Sequence, residues 1–172
     1  FIQAVQAIVS DGAGGAIIPW SEARGGTTDS LDIYAQRVNA SGTAQWSANG
    51  VAICNAPLEQ AGATLVSDGA GGAIITWEDF RGAVHTLDIY AQRLDAAGVV
   101  QWTTNGVAIC TATNTQANPR IVSDGAGGAI ITWGDFRTAA TTDIYAQHIN
   151  ASGAVQLTAD GVAICIAANN QN

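Results

Sequence analysis

The chain has 172 residues, with 14 acidic side chains against 6 basic ones, and its formal net charge is −8. A nucleic-acid-binding surface needs clustered positive charge, so this balance excludes nucleic-acid binding as a main role. Hydrophobic residues make up 48% of the chain and charged residues 12%, a composition that predicts a folded protein. The apolar runs reach about five residues against the ~20 needed to cross a bilayer, so we expect no membrane span.

One pattern occurs three times along the chain. Each copy contains Ser-Asp-Gly-Ala-Gly-Gly-Ala-Ile-Ile, then Asp-Ile-Tyr-Ala-Gln, and ends in Gly-Val-Ala-Ile-Cys. The copies start their glycine-rich turns at Ser10, Ser67 and Ser123. A period of this size indicates a repeat architecture. We therefore predict a single repeat domain over residues 1–172, with repeats at approximately 3–59, 60–115 and 116–170.

Four β-strands fit each repeat, here taken in chain order through the middle copy. Residues 63–66 and 73–77 are apolar and flank a glycine-rich turn, which predicts a hairpin. Residues 88–94 and 99–102 are rich in strand formers and flank the turn Asp-Ala-Ala-Gly. The final Val-Ala-Ile-Cys is either a continuation of the fourth strand or a short fifth piece. No stretch has the 3.6-residue apolar period of a helix, so the fold class is all-β.

This arrangement resembles the blade pattern of bacterial secreted β-propellers of the PQQ-type and related families. The resemblance rests on Ser-Asp-Gly-Ala-Gly-Gly-Ala-Ile-Ile-Thr-Trp followed by Asp-Ile-Tyr-Ala-Gln-Arg-Leu-Asp-Ala-Ala-Gly-Val-Val-Gln-Trp, and it covers essentially the whole chain. It implies four-stranded antiparallel blades and an extracellular location. The Gly-Val-Ala-Ile-Cys segment departs from the PQQ pattern and nothing indicates a quinone site, so we expect no cofactor.

Three blades are fewer than the about 4 to 8 that make a propeller. Two chains could form a homodimer that completes a six-bladed ring, which is the arrangement we favour because a lone arc leaves two sheet faces uncovered. The chain could instead be part of a longer array. A third alternative is a β-trefoil or β-prism monomer, since a trefoil also has three four-stranded repeats.

The loops between strands differ in how much they vary between copies. We label the four strands of a repeat A to D in chain order. In a four-stranded blade the A–B and C–D turns lie at one end, and here they barely change. The B–C loops (residues 21–31, 78–87 and 134–142) and the D–A loops (55–63 and 111–119) differ in sequence, and the B–C loops also differ in length. We call these the divergent loops. Loops that vary on a fixed frame often carry binding sites, although they also vary where nothing constrains them.

An acid–x–Arg element follows the second strand of each repeat. Arginine binds carboxylates through its bidentate fork, and sialidase-type propellers use an arginine cluster in this way. A structural ion pair that holds the loop is the alternative. A sialidase would also need a tyrosine nucleophile, whereas Tyr34, Tyr90 and Tyr145 lie in identical contexts that suit packing. The candidate ligand-binding residues are Arg24, Asp79, Phe80, Arg81, Asp135, Phe136 and Arg137.

The remaining reactive side chains indicate structure rather than chemistry. Cys54, Cys110 and Cys165 occupy matching sites, so we expect small buried side chains and no internal disulfide framework. His85 and His148 are isolated, and one aspartate per glycine-rich turn is too few oxygen ligands for calcium. We expect no catalytic residues and no metal site.

These observations predict a non-enzymatic extracellular module that binds a ligand or a surface. A glycan or another cell-surface ligand is the partner class considered, together with self-association. Two alternatives stay open: a sialidase-like propeller hydrolase with an arginine-lined site, and a purely structural or engineered repeat protein. Near-identical repeats argue against the hydrolase, because catalysis needs different roles from different blades.

Overall fold

The computed structural model describes residues 3–24, 30–83, 86–138 and 141–167. Within these ranges the chain forms β-strands and no helix, so no described segment is a helix that could span a bilayer. The strands are β1 (Gln3–Val5), β2 (Val9–Ser10), β3 (Ala16–Glu22), β4 (Asp32–Val38), β5 (Val51–Cys54), β6 (Gln60–Ser67), β7 (Ala73–Ala83), β8 (Thr86–Leu94), β9 (Val107–Cys110), β10 (Gln116–Ser123), β11 (Ala129–Asp135), β12 (Asp143–Ile149) and β13 (Val162–Cys165).

Each repeat folds into its own antiparallel sheet. The second and third sheets have the strand orders β6-β7-β8-β9 and β10-β11-β12-β13. The first has the order β1-β3-β4-β5. The strand at its β1 edge is interrupted and forms two pieces, β1 and β2, which both pair with β3. In the described part of the chain, no strand pairs with a strand of another repeat. The all-β prediction is confirmed, and the separate sheets favour blades over a barrel shared between repeats.

The fourth strand of each sheet is the Val-Ala-Ile-Cys segment, which corrects the prediction of a fourth strand at residues 99–102. Those residues make only an isolated bridge between Leu94 and Val100. The reason is the side chain of Gln92, which is fully buried in β8. Its Oε1 accepts the backbone N–H of Trp102 at 3.0 Å, and its Nε2 donates to the carbonyl of Thr103 at 2.8 Å. The amide side chain therefore takes the place of backbone ladder bonds at Trp102 and Thr103, whereas Gln101 still donates its backbone N–H to the carbonyl of Arg93 at 2.8 Å.

The hydrophobic core lies in layers between the sheets. Alternation along β7 sends Ile74 towards the third sheet and Ile75 towards the first, and both are fully buried. Burial of one such side chain contributes about 1.5–3 kcal/mol, so stacking of the sheets is a main source of stability. We call the side of a sheet that faces the following repeat its trailing face, and the side that faces the preceding repeat its leading face.

A polar clamp joins the connection between the third and fourth strands of one sheet to the preceding sheet. The carbonyl of Ala96 accepts hydrogen bonds from Trp46 Nε1 at 3.1 Å and from Arg37 Nη1 at 3.0 Å. A Cβ on Gly98 would lie 2.7 Å from the Trp46 ring, so the indole lies directly on the glycine. The next interface repeats the clamp with Trp102, Arg93, Ala151 and Gly153.

Antiparallel order places the divergent loops together at one end of the sheets. The glycine-rich turns and the clamp connections lie at the opposite end. The tips of the three B–C loops, and with them His85, lie outside the described residues.

Candidate functional site

The acid–x–Arg element of the second repeat forms a compact buried unit at the divergent end of β7. The carboxylate of Asp79 is fully buried, and its Oδ2 lies 2.5 Å from Arg81 Nη2. Trp77 Nε1 donates to the same oxygen at 2.8 Å. The guanidinium carbon of Arg81 lies 3.9 Å from the centroid of the Tyr90 ring, which is a cation–π contact.

The third repeat builds the same unit again. Asp135 is fully buried and its Oδ2 lies 2.7 Å from Arg137 Nη2, while Trp133 Nε1 donates to that oxygen at 2.8 Å. The Arg137 guanidinium lies 3.8 Å from the centre of the Tyr145 ring. Burial opposes ionisation of Asp135, but the contacts from Arg137 and Trp133 outweigh it and hold the pKa of Asp135 below its usual value. The pair is therefore ionic at neutral pH.

The first repeat has glutamate in place of aspartate and alanine in place of phenylalanine. Glu22 Oε2 lies 2.8 Å from Arg24 Nη2, and Trp20 Nε1 donates to it at 2.9 Å. The Arg24 guanidinium lies over the Tyr34 ring, 3.5 Å from its centroid. The hydrogen bond from Arg24 is the largest influence on Glu22 and lowers the pKa of this carboxyl to about 2. All three repeats thus hold a carboxylate, an arginine and a tyrosine in one arrangement.

The cysteine of the preceding repeat completes two of these units. Arg81 Nη2 lies 2.9 Å from Cys54 Sγ, and Arg137 Nη2 lies 3.5 Å from Cys110 Sγ. Both cysteines are buried, as the sequence predicts, whereas Cys165 is only partly buried. Burial raises the pKa of Cys54 to about 11 and that of Cys110 to about 12, so both remain neutral thiols rather than nucleophiles.

Four of the candidate ligand-binding residues are thus engaged within the protein. Arg81 donates to Asp79 and, at 2.8 Å, to the carbonyl of Asn105. Arg137 donates to Asp135 and, at 2.8 Å, to the carbonyl of Asp160. These contacts favour the structural ion pair that the sequence left open beside ligand binding, and the ligand-binding role stays a prediction.

The two loop phenylalanines and Arg24 are more accessible. The side chain of Arg24 keeps 30% of its surface exposed, Phe136 is 38% exposed, and Phe80 is partly buried. A cavity of about 390 Å³ beside Phe136 is also lined by Asn118, Arg120 and Ile144. It lies on the trailing face of the third sheet. The divergent end therefore offers aromatic and cationic contacts at its edges rather than one enclosed pocket.

Asp88, near the start of β8, has a carboxyl whose pKa is shifted upward. Burial raises the pKa of Asp88 to about 6, with a further upward contribution from the negative charges of Asp79 and Asp160. Such a shift is common at functional sites. Here the carboxyl lies at the start of β8 opposite Asp79 in the ladder, in a position that each repeat reproduces, and this indicates a structural role.

The aspartate of each glycine-rich turn accepts hydrogen bonds from the backbone of that turn. Asp68 Oδ1 accepts the backbone N–H groups of Ala70 and Gly72, each at 2.8 Å, and its Oδ2 lies 3.0 Å from Arg93 Nη2. In the third copy His148 takes the arginine position and lies 2.9 Å from Asp124. Turn geometry thus accounts for the aspartate, and no group of three or more potential metal ligands occurs among the described residues.

Sequence reasoning missed two sets of glutamines that hold the loops. Gln92 secures the clamp connection, as described above. Gln60 is fully buried at the start of β6, and its Nε2 donates to the carbonyl of Leu58 at 3.0 Å in a divergent loop. The signal was present, because glutamine recurs at both positions in every copy, at Gln3, Gln36, Gln60, Gln92, Gln116 and Gln147.

Comparison with known proteins gives no family for this chain. No model of a known protein family matches it, and no curated protein matches it.

Proposed function

We propose that this protein is a non-enzymatic extracellular module of the β-propeller type, which binds a ligand or a surface partner through its divergent loops. Glycans are the ligand class to test first. Two chains associate to complete a six-bladed ring of the kind that the PQQ-type and related repeat pattern suggests. The ring brings the divergent loops of all blades to one end.

The observation that carries this proposal is the threefold repetition of one acid–arginine–tyrosine unit. A hydrolase needs an acid, a nucleophile and a charge-stabilising group in different roles, whereas the three acid–arginine–tyrosine units have one geometry. Their polar groups hold strands and neighbouring sheets together. The divergent loops are therefore the part of the fold whose sequence can change to bind a ligand.

The incomplete ends of the sheet stack support the association. Ile53 and Ile109 are each 2% exposed, because a following sheet covers them. The matching residue of the last repeat, Ile164, is 62% exposed. An apolar face of this kind is a site for another blade.

Two measurements test the proposal. The mass in solution should be about twice the 17.5 kDa of the chain. A glycan array should then show binding that Phe80→Ala weakens and that a substitution in the glycine-rich turns, such as Ser123→Ala, leaves unchanged. A monomer at every accessible concentration contradicts the ring.

A purely structural repeat is the second candidate, and the engagement of Arg81 and Arg137 favours it. The glycan array distinguishes a binding module from a structural repeat. A structural repeat that associates without binding a ligand would have the expected mass but would bind no glycan on the array.

A further inference from the structure

The two open faces of the sheet stack are the two halves of the interface that already occurs twice inside the chain. On the trailing face of the third sheet, Val122 is 57% and Ile130 is 41% exposed, whereas Ile74, which matches Ile130, is fully buried. On the leading face of the first sheet, Ile8 is 68% exposed, whereas its counterpart Leu65 is 9% exposed. Each open residue thus belongs to a position that a neighbouring sheet covers elsewhere in the molecule.

The polar contacts of the internal interface are divided between the same two faces. At the internal interface a cysteine on the trailing face meets an acid–arginine pair on the leading face, as Cys54 meets Asp79 and Arg81. The trailing face of the third sheet offers the partly exposed Cys165, and the leading face of the first offers Glu22 with Arg24.

We infer that the trailing face of the third sheet binds the leading face of the first sheet of a second copy, in the register of the internal interfaces. This inference rests on the proposed function, because it assumes the six-bladed ring, and it specifies which residues meet where the two chains join. Cys165 of one copy lies against Glu22 and Arg24 of the other, and Ile164 fills the space beside Ile8. Because the contact is reciprocal, two such interfaces close the dimer.

The third sheet lacks the two clamp groups of both internal interfaces and a glutamate that fastens one of them. Leu157 replaces the clamp tryptophan, His148 replaces the clamp arginine, and Gly134 stands at the position of Glu78. Glu78 Oε1 accepts the backbone N–H of Asn118 at 2.7 Å across the internal interface. The interface between copies therefore keeps the apolar contact but has fewer hydrogen bonds, and it dissociates more readily than the sheets within a chain separate.

Restoring the clamp tests the register by a gain of affinity. In Leu157→Trp the new indole would lie on Gly42 of the second copy and donate to the carbonyl of Ala40, as Trp46 does at Gly98 and Ala96. We expect the dimer dissociation constant, measured by analytical ultracentrifugation, to fall by about tenfold or more. The matched control is Val155→Trp, because the equivalent Val100 is 38% exposed despite a following sheet.

A larger effect of Leu157→Trp than of Val155→Trp supports the inference. Equal effects, or none from Leu157→Trp, show that the copies do not meet in this register and overturn it.

The reactivity of Cys165 separates failure of the register from failure of the ring. A thiol reagent should label Cys165 in diluted monomer, and labelling should slow by at least about tenfold in the dimer, with buried Cys54 and Cys110 as internal controls. A dimer that leaves Cys165 equally reactive overturns the register but keeps the ring. A chain that never dimerises overturns both and indicates that further blades of another polypeptide, or of a longer one, cover these faces.

Discussion

Arg81 contacts groups from two repeats at once, which makes it a link between sheets. Its guanidinium pairs with Asp79 of its own sheet and touches Cys54 of the preceding one, and one face lies on the Tyr90 ring. Asp79 is fully buried, and a buried carboxylate without its cation is strongly destabilising. Arg24 holds the same place in the first repeat, but the described residues form no sheet before it, and 30% of its side chain is exposed.

We expect Arg81→Lys to lower the free energy of unfolding by about 2–3 kcal/mol, because lysine keeps the charge but lacks the planar fork and the stacking surface. Arg24→Lys should cost less than about 1 kcal/mol at its exposed site. Urea denaturation of both variants measures the difference. Ligand-binding arginines that are not structural would give small and equal losses at the two positions.

Asp88 makes the stability depend on pH in a direction opposite to that of a salt-bridged carboxylate. Its pKa in the folded protein is raised to about 6, so the folded state binds a proton more readily than the unfolded chain does. This contribution is fully present below the unfolded pKa near 4 and is lost as the pH rises through about 6.

Asp88→Asn should therefore stabilise the protein relative to the native sequence at pH 7, by on the order of 2 kcal/mol after allowance for solvent screening, and by much less at pH 4. Thermal denaturation across this pH range measures the difference. An effect that stays constant with pH would show that the Asp88 carboxyl does not titrate there.

At the scale of single elements, the second and third strands were predictable and the fourth was not. Residues 73–77 and 88–94 lie within β7 and β8, since their apolar pattern coincides with burial between two sheets. Residues 99–102 have equally good strand formers, but at Trp102 the Gln92 side chain accepts the backbone N–H in place of a strand carbonyl, and the ladder stops. Apolar periodicity indicates which residues are buried. It does not indicate where a side chain will bond to the backbone groups that a neighbouring strand would otherwise pair with.

Two glycines at matching positions of the connections, Gly98 and Gly42, test how much the clamp contributes to stability. Gly98 and Gly42 have φ angles of 80° and 79°, so alanine meets the same backbone strain of about 1 kcal/mol at both. Of these two, only Gly98 has a tryptophan ring 2.7 Å from the position of a new Cβ, while nothing lies within 4 Å at Gly42.

Gly98→Ala should therefore lower the free energy of unfolding by about 1–3 kcal/mol more than Gly42→Ala does, when both are measured by urea denaturation in diluted monomer. Equal losses would show that Trp46 does not pack on Gly98 and that the clamp contributes little to holding the sheets together.

At the scale of the whole molecule, the repeat predicts that equivalent residues share a role, but it does not reveal contacts between repeats. The acid–x–Arg element was visible as a candidate site, yet the contact of Arg81 with Cys54 depends on how one sheet lies on the next. Segments with identical sequences then differ in burial according to their place in the stack of sheets. The strands β5, β9 and β13 share the sequence Val-Ala-Ile-Cys, each follows a glycine, and each is the outer strand of its sheet.

Hydrogen exchange on these three strands isolates the effect of a covering sheet. Their identical sequences give nearly equal intrinsic exchange rates, but β5 and β9 have a following sheet. Among the described residues β13 has none, and Ile164 there is 62% exposed. In diluted monomer we expect β13 to exchange at least about tenfold faster than β5 and β9, because less buried apolar contact opposes its opening. Mass spectrometry of peptides that cover each strand measures these rates. Slowing of β13 alone on concentration would follow from coverage by a second copy, whereas equal rates in the monomer would show that one blade stabilises its outer strand without a neighbour.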